Sequence, residues 1–204
     1  IQSLKGWRDA YPDWDPGPRP WNRHPLFHSN GRNKLSMTVD LRKPEGLEIY
    51  RRLARISDVV IENNVPSTVE KLGVVDYKSL RRQNPGLIML STSLMGQSGP
   101  WSALAGFGNI GAAMSGLQVM AGREGADPVG PYGPYTDFVA PRLALPVLMA
   151  ALEERRSTGK GRRLDVSQAE AGMQFIAEAF AGWSAKGLVP VAHGNRDPQV
   201  EEID

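Results

Sequence analysis

The sequence holds no cysteine, which excludes disulfides, thiolate nucleophiles and cysteine-type zinc sites. Its three histidines, His24, His28 and His193, lie in loop-like sequence without the spacing of metal ligands, so no metal is expected. No apolar run approaches the roughly 20 residues that a membrane-spanning helix requires. Nor does a basic, then apolar, then small-residue succession at the front mark a signal segment. Charge of one sign is also scarce: 24 Lys and Arg stand against 22 Asp and Glu, a formal net charge of +2. So small an excess suits a phosphorylated ligand as well as a nucleic acid and selects neither. The default expectation is a soluble cytoplasmic protein with no membrane and no nucleic-acid partner.

What is present is enough for a core. At 204 residues and 41% apolar content, the chain can form one ordinary domain. It begins at Ile1 rather than Met and closes on Glu201-Glu202-Ile203-Asp204 with no capping element. It therefore reads as part of a longer protein. Residues 1–33 are rich in Pro, Trp, Arg and Asn and carry no convincing helix or strand. Segments of this length without regular structure are usually functional, disordered or laid over another surface. Trp7, Trp14 and Trp21 alternate there with Arg8, Arg19 and Arg23, a mixture that can bind single-stranded nucleic acid. Asp9, Asp13 and Asp15 dilute the charge and set that reading aside.

From Lys34 the pattern becomes regular. Leu35, Met37, Val39 and Leu41 alternate with polar residues, predicting a half-buried strand over 35–41. Pro44 opens a helix with Leu47, Tyr50, Leu53 and Ile56 at helical spacing. Residues 58–62 and 87–91 are short apolar runs of the kind that form buried parallel strands. Between them, 66–72 reads as a short helix closed by Gly73, and Asp76 as the N-cap of a second helix ending at Gln83. A small-residue helix is expected over 106–122, a long apolar helix with two internal prolines over 138–156, a strand over 162–167 and a helix over 168–186. Strands alternating with helices predict an α/β fold, a Rossmann-like parallel sheet with flanking helices. Ligands in such sheets gather at the carboxyl ends of the strands. Asn63-Asn64 and Ser91 through Gly99 are therefore the places to search.

Three local patterns invite a chemical role. Gly96-Gln97-Ser98-Gly99-Pro100 is a Gly-rich loop after a strand, able to bring backbone N–H groups to an anion. It lacks the Lys-Ser/Thr pair of a P-loop and the spacing of a dinucleotide fingerprint, so a plain turn is the better reading. Arg155, Arg156, Lys160, Arg162 and Arg163 cluster around a helix end, where basic residues complement the dipole. Asp137 stands between a Gly/Pro-rich loop and an apolar helix. Local context leaves it open between two roles, a helix N-cap and a nucleophilic carboxylate kept ionised by the dipole.

An ordered set of motifs goes further. Asn33 through Leu41, Asp58-Val59-Val60-Ile61-Glu62-Asn63 and Pro66 to Gly73 come first. Asn84-Pro85 before Ile88, Met95 to Pro100, Tyr135-Thr136-Asp137, Ala150-Ala151-Leu152 and Thr158 to Gly161 follow in turn. Together they resemble the class III coenzyme A transferases, the CaiB–BaiF family that includes formyl-CoA transferase and relatives of α-methylacyl-CoA racemase. The match runs from Asn33 to about Ala171, some two-thirds of the chain.

The resemblance implies an enzyme in which Asp137 carries the acyl group. The aspartate attacks an acyl-CoA thioester, passes through a mixed anhydride to an aspartyl-CoA thioester, and yields CoA to an acceptor carboxylic acid. Contacts to CoA are implied at Asn33, Lys34, Asn63 and Lys71, with no metal and no cofactor beyond CoA as substrate. The resemblance further implies an interlocked homodimer in the full-length protein. On this reading 1–33 is an irregular segment and 34–186 a large α/β domain without its first strand–helix unit. Residues 187–204 then begin a linker toward a small C-terminal domain. Two departures stand out. Leu94-Met95-Gly96 replaces the family's Gly-Phe-Gly, and Phe107 occupies the place of the racemases' catalytic histidine. Phenylalanine moves no proton, so racemisation is the lesser alternative, beside a non-catalytic CoA-binding fragment.

Overall fold

The computed structural model describes residues 11–66, 68 and 76–194. The chain divides into two compact units, Ile1–Val39 and Asp40–Asp204.

The first unit contains 3-10 turns at Pro12–Trp14 and Pro20–Asn22 and a seven-residue helix, α1 (Pro25–Gly31). All three have proline at the first or second position, where its missing N–H has no helical partner to lose. Helix α1 corrects the expectation of an irregular segment. Its apolar residues, Leu26 and Phe27, are adjacent and both exposed, so no helical period announced it. Tyr11 and His24 are buried and meet edge to face at 5.3 Å. The strand predicted over 35–41 does not form, and Leu35 and Met37 stand exposed. Alternation decides which side chains share a face, but a strand also needs a neighbour for its N–H and C=O groups. Among the described residues nothing pairs with this segment.

The second unit is built on a parallel sheet, β1 (Val59–Glu62), β2 (Ile88–Ser93) and β3 (Arg163–Ser167), in the order β1-β2-β3. Glu62 pairs with Ser91 and Ser93 with Ser167, so the carboxyl ends of the three strands lie side by side. Helix α2 (Pro44–Ile56) packs Ala54 and Tyr50 against Leu80 and Leu87. The helix forms as expected, but its inward face is Gly46, Tyr50 and Ala54, while Leu53 and Ile56 are exposed. Leu80 belongs to α3 (Tyr77–Gln83), whose start is capped by Asp76: its carboxylate accepts from the Lys78 N–H at 2.9 Å and the Ser79 hydroxyl at 2.9 Å. The helix expected over 66–72 falls largely outside the described residues.

The 106–122 segment forms two helices, α4 (Gly108–Met114) and α5 (Leu117–Met120), separated at Gly116 with φ 89°. Only glycine takes that left-handed conformation without cost, so a single helix is excluded. Helix α6 (Tyr135–Thr158) covers the other sheet face, placing Ala144 and Ala151 on Ile88, Leu90 and Leu164. It begins three residues before the predicted start and contains Pro141 and Pro146, which deprive two carbonyls of their helical partners. Its 24 residues are long and apolar enough to cross a membrane by length and composition, but here it is the helix packed on the sheet. The predicted final helix is interrupted: α7 (Gln168–Met173), a 3-10 turn (Gln174–Ile176) and α8 (Ala177–Lys186) follow β3 directly.

Candidate active site at the start of helix α6

Asp137 occupies the third position of α6 and is half-buried. The N-cap is Pro134, and the Asp137 N–H donates to the Pro134 carbonyl at 3.0 Å. The carboxylate accepts no backbone N–H, so the capping role that sequence context allowed is not the one it has. Among the described residues it makes no hydrogen bond and no ion pair. The positive end of the helix dipole therefore acts on a carboxylate with no other commitment.

The backbone around Asp137 is held from three directions. A Cβ on Gly108 would stand 2.5 Å from both Asp137 N and Pro134 O, so the start of α4 touches the start of α6 only because residue 108 is glycine. Thr136 is fully buried, and its hydroxyl donates to Gly108 O at 3.0 Å with Gln168 Oε1 at 3.4 Å. Gly172 brings α7 close as well: a Cβ there would lie 3.2 Å from Thr136 Cγ2. Three helix starts thus converge on one residue pair. Phe107, which precedes Gly108, is exposed and offers no titratable group.

At the carboxyl ends of β1 and β2 lies a small cavity of about 90 Å³, lined by Asn63, Asn64, Ser93, Leu94, Gly106 and Gln168 among others. The Asn63 amide donates to the Thr92 carbonyl at 3.2 Å. Glu62 is buried beside it, and one carboxylate oxygen accepts from the Asn64 N–H at 3.0 Å and its side-chain amide at 3.3 Å. Burial, and then the charge of Glu62, raises the Tyr50 phenol above its ordinary pKa.

The Gly-rich loop is a held turn. The Gln97 N–H donates to both oxygens of Asp165, at 3.1 and 3.0 Å, and Arg163 donates to Gln97 Oε1 at 2.8 Å. Asp165 thereby fills the place of an external anion at that amide. The basic cluster is structural in the same sense. Arg155 pairs with Asp58 at 2.7 Å, Arg156 with Glu153 at 2.8 Å, and Arg162 with Glu154.

Of the residues the sequence singled out, Asn63 lines the cavity with Gln168, and Gln168 reaches Thr136, the residue before Asp137; Asp137 itself is not among the lining residues. Asn33 and Lys34 belong to the first unit and are exposed. Asn33 is left-handed at φ 57°, and the Lys34 amine donates to the Asn30 carbonyl. Lys71 lies outside the described residues. Sequence reasoning gave no individual role to Thr136, to Gln168 or, within the 91–99 stretch it marked for search, to Ser93. The signal for the last two was position: a polar residue at or just past the end of a buried strand.

Similarity to known proteins identifies the family. The model of CoA-transferase family III matches residues 7–204. The chain is 36% identical over 167 residues to the succinyl-CoA–L-malate CoA-transferase alpha subunit of Chloroflexus aurantiacus, covering 81% of this chain and 39% of that protein. It is 36% identical over 176 residues to the succinyl-CoA:glutarate CoA-transferase of Mus musculus, covering 84% and 40%. Its fold superposes on a CaiB/BaiF family protein from Brucella suis with a TM-score of 0.73 and 31% identity, over 83% of this chain and 44% of that one. The chain spans less than half the length of each of these relatives. The family model spans nearly the whole chain and the α/β fold agrees with it, so the chain belongs to CoA-transferase family III.

Proposed function

We propose that the protein transfers coenzyme A from an acyl-CoA to a carboxylic acid, with Asp137 as the covalent carrier. The observation that carries this reading is the state of Asp137: a carboxylate at a helix start, its backbone fixed by Gly108 and its oxygens unpaired among the described residues. The relatives named as CoA-transferases support the reaction class.

One Asp137 oxygen attacks the thioester carbonyl, the C–S bond breaks, and CoA leaves as thiolate. The thiolate then attacks the aspartyl carbonyl of the mixed anhydride and releases the donor acid as carboxylate. An acceptor carboxylate attacks the resulting aspartyl-CoA thioester and again expels the thiolate. Thiolate attack on the acceptor carbonyl of the second anhydride gives the new acyl-CoA and restores Asp137. Each step exchanges one leaving group for another, so no proton or electron is left unbalanced. Covalent catalysis here divides an unfavourable carboxylate-for-thiolate exchange into activated steps. Asn63 contacts CoA from the sheet end, with Asn33, Lys34 and Lys71 as further contacts. Both lysines meet CoA phosphates as point charges without arginine's fork. The full-length protein acts as a homodimer.

Incubation with acyl-CoA followed by hydroxylamine or borohydride traps Asp137 as its hydroxamate or alcohol, read by peptide mass. Asp137→Asn is expected to lower kcat by on the order of 10⁴ or more with the fold unchanged. An enzyme that turns over with Asp137 unmodified sinks the assignment.

A further inference from the structure

The cavity at the carboxyl ends of β1 and β2 holds polar groups that the fold itself does not use. Ser93 lines it at 7% exposure, and its hydroxyl is buried with no hydrogen-bond partner. Gln168 lines it at 9% exposure. Its amide oxygen is turned toward Thr136 Oγ1 at 3.4 Å, and its amide nitrogen bonds to none of the described residues. Asn63 spends one amide N–H on Thr92 and Asn64 one on Glu62. Ser93 and Gln168 are thus the lining side chains whose donors make no bond among the described residues, and no lysine, arginine or histidine lines the cavity.

Those donors define an occupant. A buried free carboxylate needs a cation or several donors to offset its lost hydration. A carbonyl oxygen is matched by one or two neutral donors, which strengthen as charge gathers on it during nucleophilic attack. The cavity is small, about 90 Å³, and open on one side, so it admits a carbonyl group without fixing the length of the chain behind it. Gln168 also touches Thr136, the residue before Asp137. We propose that Ser93 and Gln168 form a cradle for the carbonyl oxygen of an acyl thioester, selecting it over a free carboxylate. The proposal rests on the reading of Asp137 as nucleophile.

The test uses the full chain and acetyl-dethia-CoA labelled with ¹³C at its carbonyl, a ketone analogue that cannot be cleaved. Isotope-edited infrared spectra of the bound analogue are compared in the unaltered chain, Ser93→Ala and Gln168→Leu. The expected result is a carbonyl band that moves to higher frequency in each variant. The accompanying losses in kcat with acetyl-CoA are on the order of 10² to 10³, and the Kd of free CoA is unchanged. Ser93→Ala, the milder change, carries the test by itself where Gln168→Leu fails to fold. Failure of the analogue to bind, or one band position in all three proteins, overturns the proposal. So does competition by free acetate that Gln168→Leu abolishes. Because the analogue needs no nucleophile, an Asp137→Asn protein that still turns over acetyl-CoA is a separate failure, of the Asp137 reading alone.

Discussion

The two ends of helix α6 carry charge in opposite ways. At its C-terminal end Arg155 and Arg156 each hold a carboxylate partner, and Gly159 closes the helix in the left-handed conformation at φ 69°. At its N-terminal end Asp137 has no partner among the described residues, in a backbone packed so closely that only glycine fits at 108. One end is chemically satisfied and tolerant of its surroundings; the other is unsatisfied and held rigidly. A charge with no side-chain partner among the described residues, on a closely packed backbone, suits preorganised catalysis more than it suits stability. The difference agrees with the sequence reading, in which the basic cluster complements the helix dipole and Asp137 is the proposed acyl carrier.

The comparison breaks most readily at Gly108. A Cβ there overlaps Asp137 N and Pro134 O at 2.5 Å, and backbone cannot yield as a flexible side chain does. Gly108→Ala is expected to shift the start of α6, lowering stability by about 1–3 kcal/mol. It is also expected to lower kcat by on the order of 10² through misplacement of the carboxylate. Urea unfolding and steady-state kinetics read the two effects separately. A variant with lowered stability and unchanged kcat would remove Gly108 from the positioning of Asp137.

Much of this arrangement was legible in advance, and the rest for definable reasons was not. The three strands, α2 and the Asp76 cap follow from local apolar runs and turn chemistry, and they form where those signals place them. The strand over 35–41 had the right alternation but no partner, and pairing is not a local property. Helix α1 lacked any apolar period because its two large apolar residues both face out. The proposal for Asp137 came through a motif, since local context also allowed an N-cap, a position the structure gives to Pro134. Thr136 and Gln168 are 32 residues apart in sequence and 3.4 Å apart in space. Ser93 and Gln168 share one cavity wall only because β2 and β3 run parallel in that register.

The opposite end of α6 supplies the control. Arg155 donates to Asp58 Oδ1 at 2.7 Å and to its carbonyl at 3.4 Å, joining the helix end to the entry of β1. Its side chain is 28% exposed and that of Asp58 75%, so water screens the pair from one side. Arg155→Ala is expected to lower stability by about 1 kcal/mol, from pairing and lost packing of the stem. The expected kcat is unchanged. A fall in kcat beyond the fall in folded fraction would mean that the two ends are coupled through α6.

The smallest effect belongs to Glu153 and Arg156, one turn apart on the exposed surface. The hydrogen bond from Arg156 holds the Glu153 carboxyl below its ordinary pKa. A folded-state pKa below the unfolded one stabilises above the unfolded value, and the contribution is lost as pH falls through the folded value. Glu153→Gln should therefore sit marginally below the unaltered protein in urea midpoint at neutral pH. The two should converge as the pH falls through the folded-state value, below which the carboxyl is protonated in both states. Full exposure lets solvent and salt screen the pair, so the neutral-pH gap must be smaller than that of Arg155→Ala and must shrink in high salt. A gap as large as that of Arg155→Ala would mean that the C-terminal cluster acts as a network. The contrast between the ends of α6 would then lie in cooperativity, since both ends would be rigid and only the N-terminal one would keep its charge free.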